Sequence, residues 1–308
     1  MLNRVLLEPS ECETTTEDQL VAWLGPDDAR TVHVRDHIQA KSGQTLRAGL
    51  LDAGTTDSAR LEWVDAGEEA AGGAEGSAAL KLELGPAEAL LRPVASHERP
   101  RIDLLLAMPR PLVFGRLLPM ISSMGVGTLW VTGADRVDKH YFSSHLLRPD
   151  RAADLRAALV NGLEQSGDTA VPRCVVRKDL RGLLRDGLGA DAPEAADGRS
   201  APPLVKPVCH PERLVDDGDA AGGDGGADAP PAPLPIGEAL ADVAADARVV
   251  LAVGPERGWA EPEELALFAR HGFRPVTLGP RTLRTDVAVV SLLAVAHERL
   301  DAARRAAD

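Results

Sequence analysis

The turns Val253-Gly254-Pro255-Glu256-Arg257-Gly258 and Leu278-Gly279-Pro280-Arg281-Thr282-Leu283-Arg284-Thr285 set the architecture of the chain. Each follows a short apolar run, at 248–253 and 273–278, of the length and composition of a buried strand. Each leads into a helical pattern. After the first turn, Pro262 stands where a proline suits a helix start, Leu265 and Phe268 share a face, and Gly272 closes the helix. After the second, Thr285 and Asp286 read as cap and first-turn acid before the run 287–296. That run is apolar on every face, so it should be buried all round, in the core or against another subunit. The pattern predicts two consecutive strand–turn–helix units of a parallel sheet, their turns facing a ligand at the carboxyl ends of the strands.

Glycine admits positive φ and lets the backbone approach a ligand closely, and uncovered N–H groups at such turns suit the acceptor atoms of a nucleoside-like cofactor. Gly-Pro pairs also end ordinary strands. Two in tandem, the second carrying two arginines, point beyond that. Neither turn is a dinucleotide-binding or P-loop fingerprint.

Together, Gly254-Pro-Glu-Arg-Gly258, Leu278-Gly-Pro-Arg-Thr-Leu-Arg-Thr285 and the apolar helix after them resemble the carboxy-terminal signature of the RsmE family. Its members are SPOUT-class enzymes that methylate N3 of a uridine in small-subunit ribosomal RNA with S-adenosylmethionine. The resemblance implies an α/β fold: a knotted SPOUT-type parallel sheet with helices on both faces, over 100–308, preceded by a small PUA-like β-barrel over 1–92. It implies a homodimer, and a cofactor site of Cys209, His210, Val253, Gly254, Pro255, Gly258, Leu278, Gly279, Leu283, Arg284 and Thr285. Arg284, whose fork suits two acceptors, is the first catalytic candidate, stabilising anion on the base or orienting phosphate. Glu256 is the other, either binding ribose hydroxyls or acting as a base. Arg281 reads as a turn-closing residue. Arg257 stands where the family has glycine, and Asp286-Val287 where it has Glu-Thr.

Three cysteines, Cys12, Cys174 and Cys209, are scattered and show no paired spacing, which suggests a reducing, cytoplasmic setting and no zinc site. No apolar run reaches membrane-spanning length, and no export signal is recognisable. The net charge of −13 argues against indiscriminate nucleic-acid binding. Its distribution qualifies this: between 99 and 185 fourteen Lys or Arg face eight Asp or Glu, whereas 216–246 holds eight acids and no base. The first 98 residues, with eighteen acids against eight bases, sit awkwardly with an RNA contact.

In chain order, Val32-His-Val34, Thr45–Leu51, 59–64 and 79–84 read as strands of the small barrel. Asn3-Arg4-Val-Leu-Leu, with His37-Ile and Ser42-Gly43-Gln44, resembles the family's opening and makes Arg4 either an RNA contact or an exposed terminal arginine. The tract 66–78 reads as a flexible hairpin extension, and the tracts at about 186–203 and 216–235 as low-complexity surface inserts. Residues 102–107, the helical stripe Phe114, Leu117, Leu118, Ile121 and the run 128–131 form a β-α-β unit. The loop Arg136-Val-Asp-Lys-His-Tyr141 makes Arg136 and Lys139 RNA-binding candidates, or a plain solvated loop. Glu164-Gln-Ser-Gly-Asp168 resembles a family tract with Asp168 and Ala170 in place of basic residues; Gln165 is assigned either to RNA and pocket or to a helix end. Ser123 replaces a family glutamate. These losses keep open a SPOUT enzyme acting on another RNA, or a non-catalytic ribosome-binding protein.

Overall fold

The computed structural model describes residues 3–65, 78–95, 98–188, 202–211 and 232–307. The extension at 66–77 and most of both inserts therefore lie outside the described residues. The chain divides into two compact units: Met1–Glu98 with Val160–Val171, and Arg99–Leu159 with Pro172–Asp308.

In the first unit, β1 (Val5–Leu7), β2 (Cys12–Thr14), β3 (Gln19–Leu24), β4 (Thr45–Leu50), β5 (Thr55–Asp65) and β6 (Ala78–Pro86) pair in the order β1-β4-β5-β6-β3-β2. Only β1 and β4 run parallel. The edge strands β1 and β2 are not paired to each other, so the sheet is a half-barrel rather than a closed one. The period-two alternation of β6 turns Leu80, Leu82 and Leu84 into a core shared with Leu7, Leu20, Leu50 and Leu61, while a short helix α2 (Ala87–Leu90) adds Leu90.

One expected strand is absent. Val32-His-Val34 lies in helix α1 (Ala29–His33) and the single π turn Val34–Ile38 that follows it. Asp28 caps α1 by accepting the Arg30 N–H at 2.8 Å, and Arg30 is clamped by Asp28 and Glu11, each at 2.7 Å. That local network outweighs the β preference of two valines.

In the second unit every ladder is parallel, over β7 (Ile102–Ala107), β8 (Val126–Thr132), β9 (Arg173–Arg177), β10 (Leu204–Val205), β11 (Pro207–Cys209), β12 (Leu234–Pro235), β13 (Arg248–Val253) and β14 (Arg274–Thr277). The order is β12-β14-β11-β13-β7-β8-β9, with β10 also on β13. The connecting helices are α3 (Pro111–Ser123), α4 (Ala152–Ser166), α5 (Leu180–Asp186), α6 (Ile236–Ala239), α7 (Glu263–Arg270) and α8 (Thr285–Ala307); α4 begins in this unit, and from Val160 its residues belong to the first.

Alternate strand residues serve opposite faces. Leu104, Leu106, Val249 and Leu251 pack with α3, α6 and α8, whereas Leu105, Trp130, Val250 and Ala252 pack with α5 and α7. A sheet covered on both sides needs apolar residues at both parities, which is why its strands read as continuous apolar runs. At the amino end of the sheet, buried Asp103 accepts Arg248 at 2.8 Å and the Thr128 N–H at 2.7 Å, tying β7, β13 and β8 together. Within the single chain, helix α8 buries the stripe Val289, Leu292, Leu293, Ala296 and Leu300, while Val287 is 47% exposed.

Candidate active site

Strands β11, β13 and β14 are aligned with Cys209 opposite both Val253 and Val276. Because they are parallel, the segments that leave them emerge at one edge of the sheet: His210-Pro211 from β11, the first glycine turn from β13 and the second from β14. They surround a cleft of about 580 Å3 of atom-free space, its open mouth included. Cys209, His210 and Pro211 contribute one part of the lining and Val253, Gly254, Pro255, Glu256 and Gly258 another. Leu278, Gly279, Arg281, Thr282 and Leu283 supply the third, with Thr277, Thr285 and Ala288 completing it.

The glycines are needed for different reasons. Gly258 (φ +69°) and Gly279 (φ +103°) occupy the left-handed region. Gly254 does not; a Cβ there would stand 3.2 Å from the Trp259 indole nitrogen and 3.3 Å from two ring carbons. Trp259 is fully buried and meets Phe268 edge-on at 4.7 Å, and Phe268 meets Phe273 at 5.0 Å. The second turn is pinned by Thr277, whose hydroxyl accepts the Gly279 N–H at 3.0 Å and donates to the Gly279 carbonyl at 3.1 Å. Beyond it the main-chain N–H groups of Arg281, Thr282 and Leu283 donate no hydrogen bond among the described residues.

The polar groups divide into fixed and available ones. His210 is 7% exposed; its Nε2 lies 2.7 Å from Glu261 Oε1, and its Nδ1 is buried without a partner among the described residues. Glu256 Oε1 accepts the Arg110 N–H at 2.9 Å, and its side chain still borders the cleft. Burial pushes the Cys209 thiol up to about 11, so it contributes a neutral, soft wall.

Of the residues expected in the cofactor site, all but Arg284 line this cleft. The Arg284 side chain is 70% exposed and pairs with Asp286 at 3.1 Å, which also meets Arg116 at 3.6 Å. Arg281, read from sequence as a turn-closing residue, lines the cleft instead. Arg136 donates to the Arg257 carbonyl at 2.8 Å, fastening the 133–141 loop to the first turn. Lys139 is exposed. Arg4 is not presented to solvent: its guanidinium is 12% exposed and binds Gly167 O, Ala48 O, Thr56 O and Asp57. Gln165 is exposed and belongs to the first unit. The Glu261 partner of His210 has no sequence signal, since the pair joins a loop to a distant strand end.

Residues 232–297 match the RNA methyltransferase domain family. Ribosomal RNA small subunit methyltransferase E of Treponema pallidum is 25% identical over 270 residues, 87% of this chain and 82% of that protein. Ribosomal RNA small subunit methyltransferase E 1 of Borreliella burgdorferi is 20% identical over 205 residues, 67% of this chain and 70% of that one. The crystal structure of a ribosomal RNA small subunit methyltransferase E from Neisseria gonorrhoeae bound to S-adenosyl methionine aligns with a TM-score of 0.57 at 19% identity, over 97% of this chain and 98% of that one. The chain is similar to proteins of the RsmE family.

Its departures from the RsmE pattern acquire local explanations. The Arg257 side chain is exposed while its carbonyl takes the Arg136 bond. Asp286 holds Arg284 and Arg116 and accepts the Val287 N–H. Asp168 turns its own backbone by accepting the N–H groups of Thr169 and Ala170, and Ala170 is buried, so a long basic side chain at 170 would not fit this packing. Ser123 donates to the Met120 carbonyl. The parallel, doubly covered sheet preceded by a half-barrel is the SPOUT arrangement of the RsmE structures.

Proposed function

We propose that this chain transfers the methyl group of S-adenosylmethionine to N3 of a uridine in small-subunit ribosomal RNA, as a cytoplasmic homodimer. The observation that carries this reading is the convergence of both glycine turns and the His210-Pro211 strand end on one cleft. The donor set suits that cofactor. Uncommitted N–H groups at 281–283 offer bonds to ring nitrogens or a carboxylate, Glu256 offers acceptors for ribose hydroxyls, and Val253, Leu278, Leu283 and Ala288 offer apolar contact.

When bound, S-adenosylmethionine supplies an electrophilic methyl group. The chain supplies position and charge. Uridine N3 carries a weakly acidic proton, so it becomes nucleophilic only when that proton leaves and the carbonyl oxygens that inherit the charge are stabilised. Glu256, on the cleft lining with one oxygen held by Arg110, is placed either to hold the ribose or to take the proton. Arg284 lies on the exposed side of the second turn, so its fork serves the RNA: it exchanges Asp286 for the developing anion or for a phosphate. The exposed Val287, Leu283 and Leu112 support pairing with a second copy beside the cleft.

The test is calorimetry with S-adenosylmethionine, followed by methyl transfer to small-subunit particles from a depletion strain and mapping of N3-methyluridine by reverse-transcription stops. One cofactor per chain and one restored mark are expected. No cofactor binding overturns the enzymatic reading in favour of a ribosome-binding protein; binding with a mark restored on another RNA overturns the substrate. Glu256→Gln abolishing transfer while cofactor affinity holds identifies the base, and loss of affinity identifies the ribose contact.

A further inference from the structure

A second cleft opens at the same edge of the parallel sheet, beyond β8 and β9, and encloses about 1140 Å3 of atom-free space with its mouth included. We propose that it is an RNA subsite holding a nucleotide that flanks the target uridine, its phosphate on Lys139, Lys178 and Arg181 and its base against Phe142. This inference rests on the RNA methyltransferase reading above.

The cleft is built rather than incidental. The Gly133 N–H donates to the Lys178 carbonyl at 3.1 Å, and a Cβ on Gly133 would collide with that oxygen, so the loops leaving β8 and β9 are held together at their start. Three cations line it: Lys139, Lys178 and Arg181. Three acids line it too, yet two are occupied. Glu264 accepts the Asp135 N–H at 2.8 Å and the Ala260 N–H at 2.6 Å, and Asp179 accepts the Arg181 N–H at 3.1 Å to cap α5. Those bonds hold the two carboxylates in place against the backbone, and the lining carries three cations beside three acids. Lys178 Nζ stands over the half-buried Phe142 ring, 5.6 Å from its centroid, so a cation and an aromatic ring meet in the cleft lining. Phosphate with its own base is the ligand that answers both at once.

Continuity with the first cleft favours a polynucleotide over a free small molecule. The 133–139 loop borders the second cleft and is fastened to the first glycine turn through Arg136, while Glu264 joins Asp135 to Ala260. In the strand order β14-β11-β13-β7-β8-β9, with about 4.8 Å between neighbours, the two sites lie roughly 15–17 Å apart. That span corresponds to a few nucleotides along one strand. It also places RNA on the segment between 99 and 185, where bases exceed acids by fourteen to eight in a chain of net charge −13.

The experiment compares the full chain with K178A/R181A and with F142L, the latter keeping apolar packing while removing the π face. Affinity for a short single-stranded RNA carrying the target is followed by fluorescence anisotropy across salt concentrations, beside KM and kcat for transfer, cofactor affinity and Tm. For K178A/R181A we expect a Kd for RNA raised roughly tenfold or more and a salt slope smaller by about 1.4, the share of two phosphate contacts. KM for RNA rises with it, while kcat, cofactor affinity and Tm hold. For F142L we expect Kd raised about tenfold with the salt slope unchanged. A wild-type Kd and slope in folded, cofactor-binding variants overturns the subsite and leaves the proposed function standing. A parent chain that binds cofactor but no RNA overturns both, and one that binds RNA without cofactor overturns the enzymatic reading alone.

Discussion

Replacing Gly254 by Ala tests whether the first turn is shaped by Trp259. The added Cβ would meet the indole at 3.2–3.3 Å, a few tenths of an ångström inside ordinary contact. Trp259 has no room to yield, being fully buried and braced by Phe268, which is braced in turn by Phe273. Overpacking of this kind costs about 1–3 kcal/mol, and at roughly 2–4 °C per kcal/mol for a chain of this order of size the expected fall in Tm is about 2–12 °C. The turn should also shift against the cleft, and a misplacement of that size weakens cofactor binding roughly tenfold. Trp259→Phe shrinks the obstructing ring, so G254A/W259F should be less destabilised than the sum of its parts, with a coupling of about 1 kcal/mol or more. Gly258→Ala is the contrast: nothing lies within 4 Å of its Cβ, and only its φ of +69° penalises a side chain, at about 1–2 kcal/mol. Denaturant unfolding and calorimetry with S-adenosylmethionine read all four. Additivity within about 0.5 kcal/mol in the double variant refutes the packing argument and returns Gly254 to a direct cofactor contact.

Three further outcomes are expected. Arg248→Ala leaves the buried Asp103 carboxylate with only the Thr128 N–H and should cost about 3–5 kcal/mol in denaturant unfolding, whereas a loss under about 1 kcal/mol means water reaches the carboxylate. Burial raises the Glu164 carboxyl above its ordinary range, so the folded state keeps a proton that the unfolded chain has released; stability should fall as pH rises from the ordinary carboxylate value through the raised one. Glu164→Gln should therefore exceed the parent in Tm at pH 7 and match it below that window, and the reverse order refutes the assignment. With all three thiols pushed up to about 11 by burial, iodoacetamide at pH 8 should label the native chain roughly 100-fold more slowly than the unfolded one, and rapid labelling of the Cys209 peptide contradicts the burial argument.

What could be read from the sequence follows the physical range of each signal. Strands β7 and β13 were legible to the residue, because a sheet covered on both faces demands unbroken apolar runs and Asp103 is the one polar intrusion in β7. Parallel strands put the turns after β13 and β14 at one edge, and the cleft follows from that topology. The helix at Val32-His-Val34 was illegible as such, because its cause is a clamp on Arg30 that draws Glu11 from another part of the chain. Likewise Gly254 looks like a ligand-approach glycine, and only the structure shows the indole against it. Arg281 and Arg284 are three residues apart, too close for composition to say which faces the cleft; the Asp286 pairing turns Arg284 outward. Arg4 reads as a mobile terminal cation until three carbonyls and Asp57 are seen around it.

The His210–Glu261 contact shows what such long-range pairing adds to the cleft. A histidine at a strand end signals little in a sequence, whereas an imidazole 7% exposed with Nε2 at 2.7 Å from a carboxylate is held in place beside it. Because Nδ1 already lacks a partner among the described residues, Glu261→Ala removes the carboxylate beside the other ring nitrogen and should cost about 1–3 kcal/mol. Glu261→Gln keeps an acceptor at the same reach and should stay within about 0.5 kcal/mol of the parent. If the ring's orientation shapes the cofactor wall, the affinity for S-adenosylmethionine measured by calorimetry falls for E261A and for H210A but not for E261Q. Equal behaviour of E261A and E261Q would mean that the carboxylate neither holds the ring nor matters to the cleft, and His210 would then line it only as bulk.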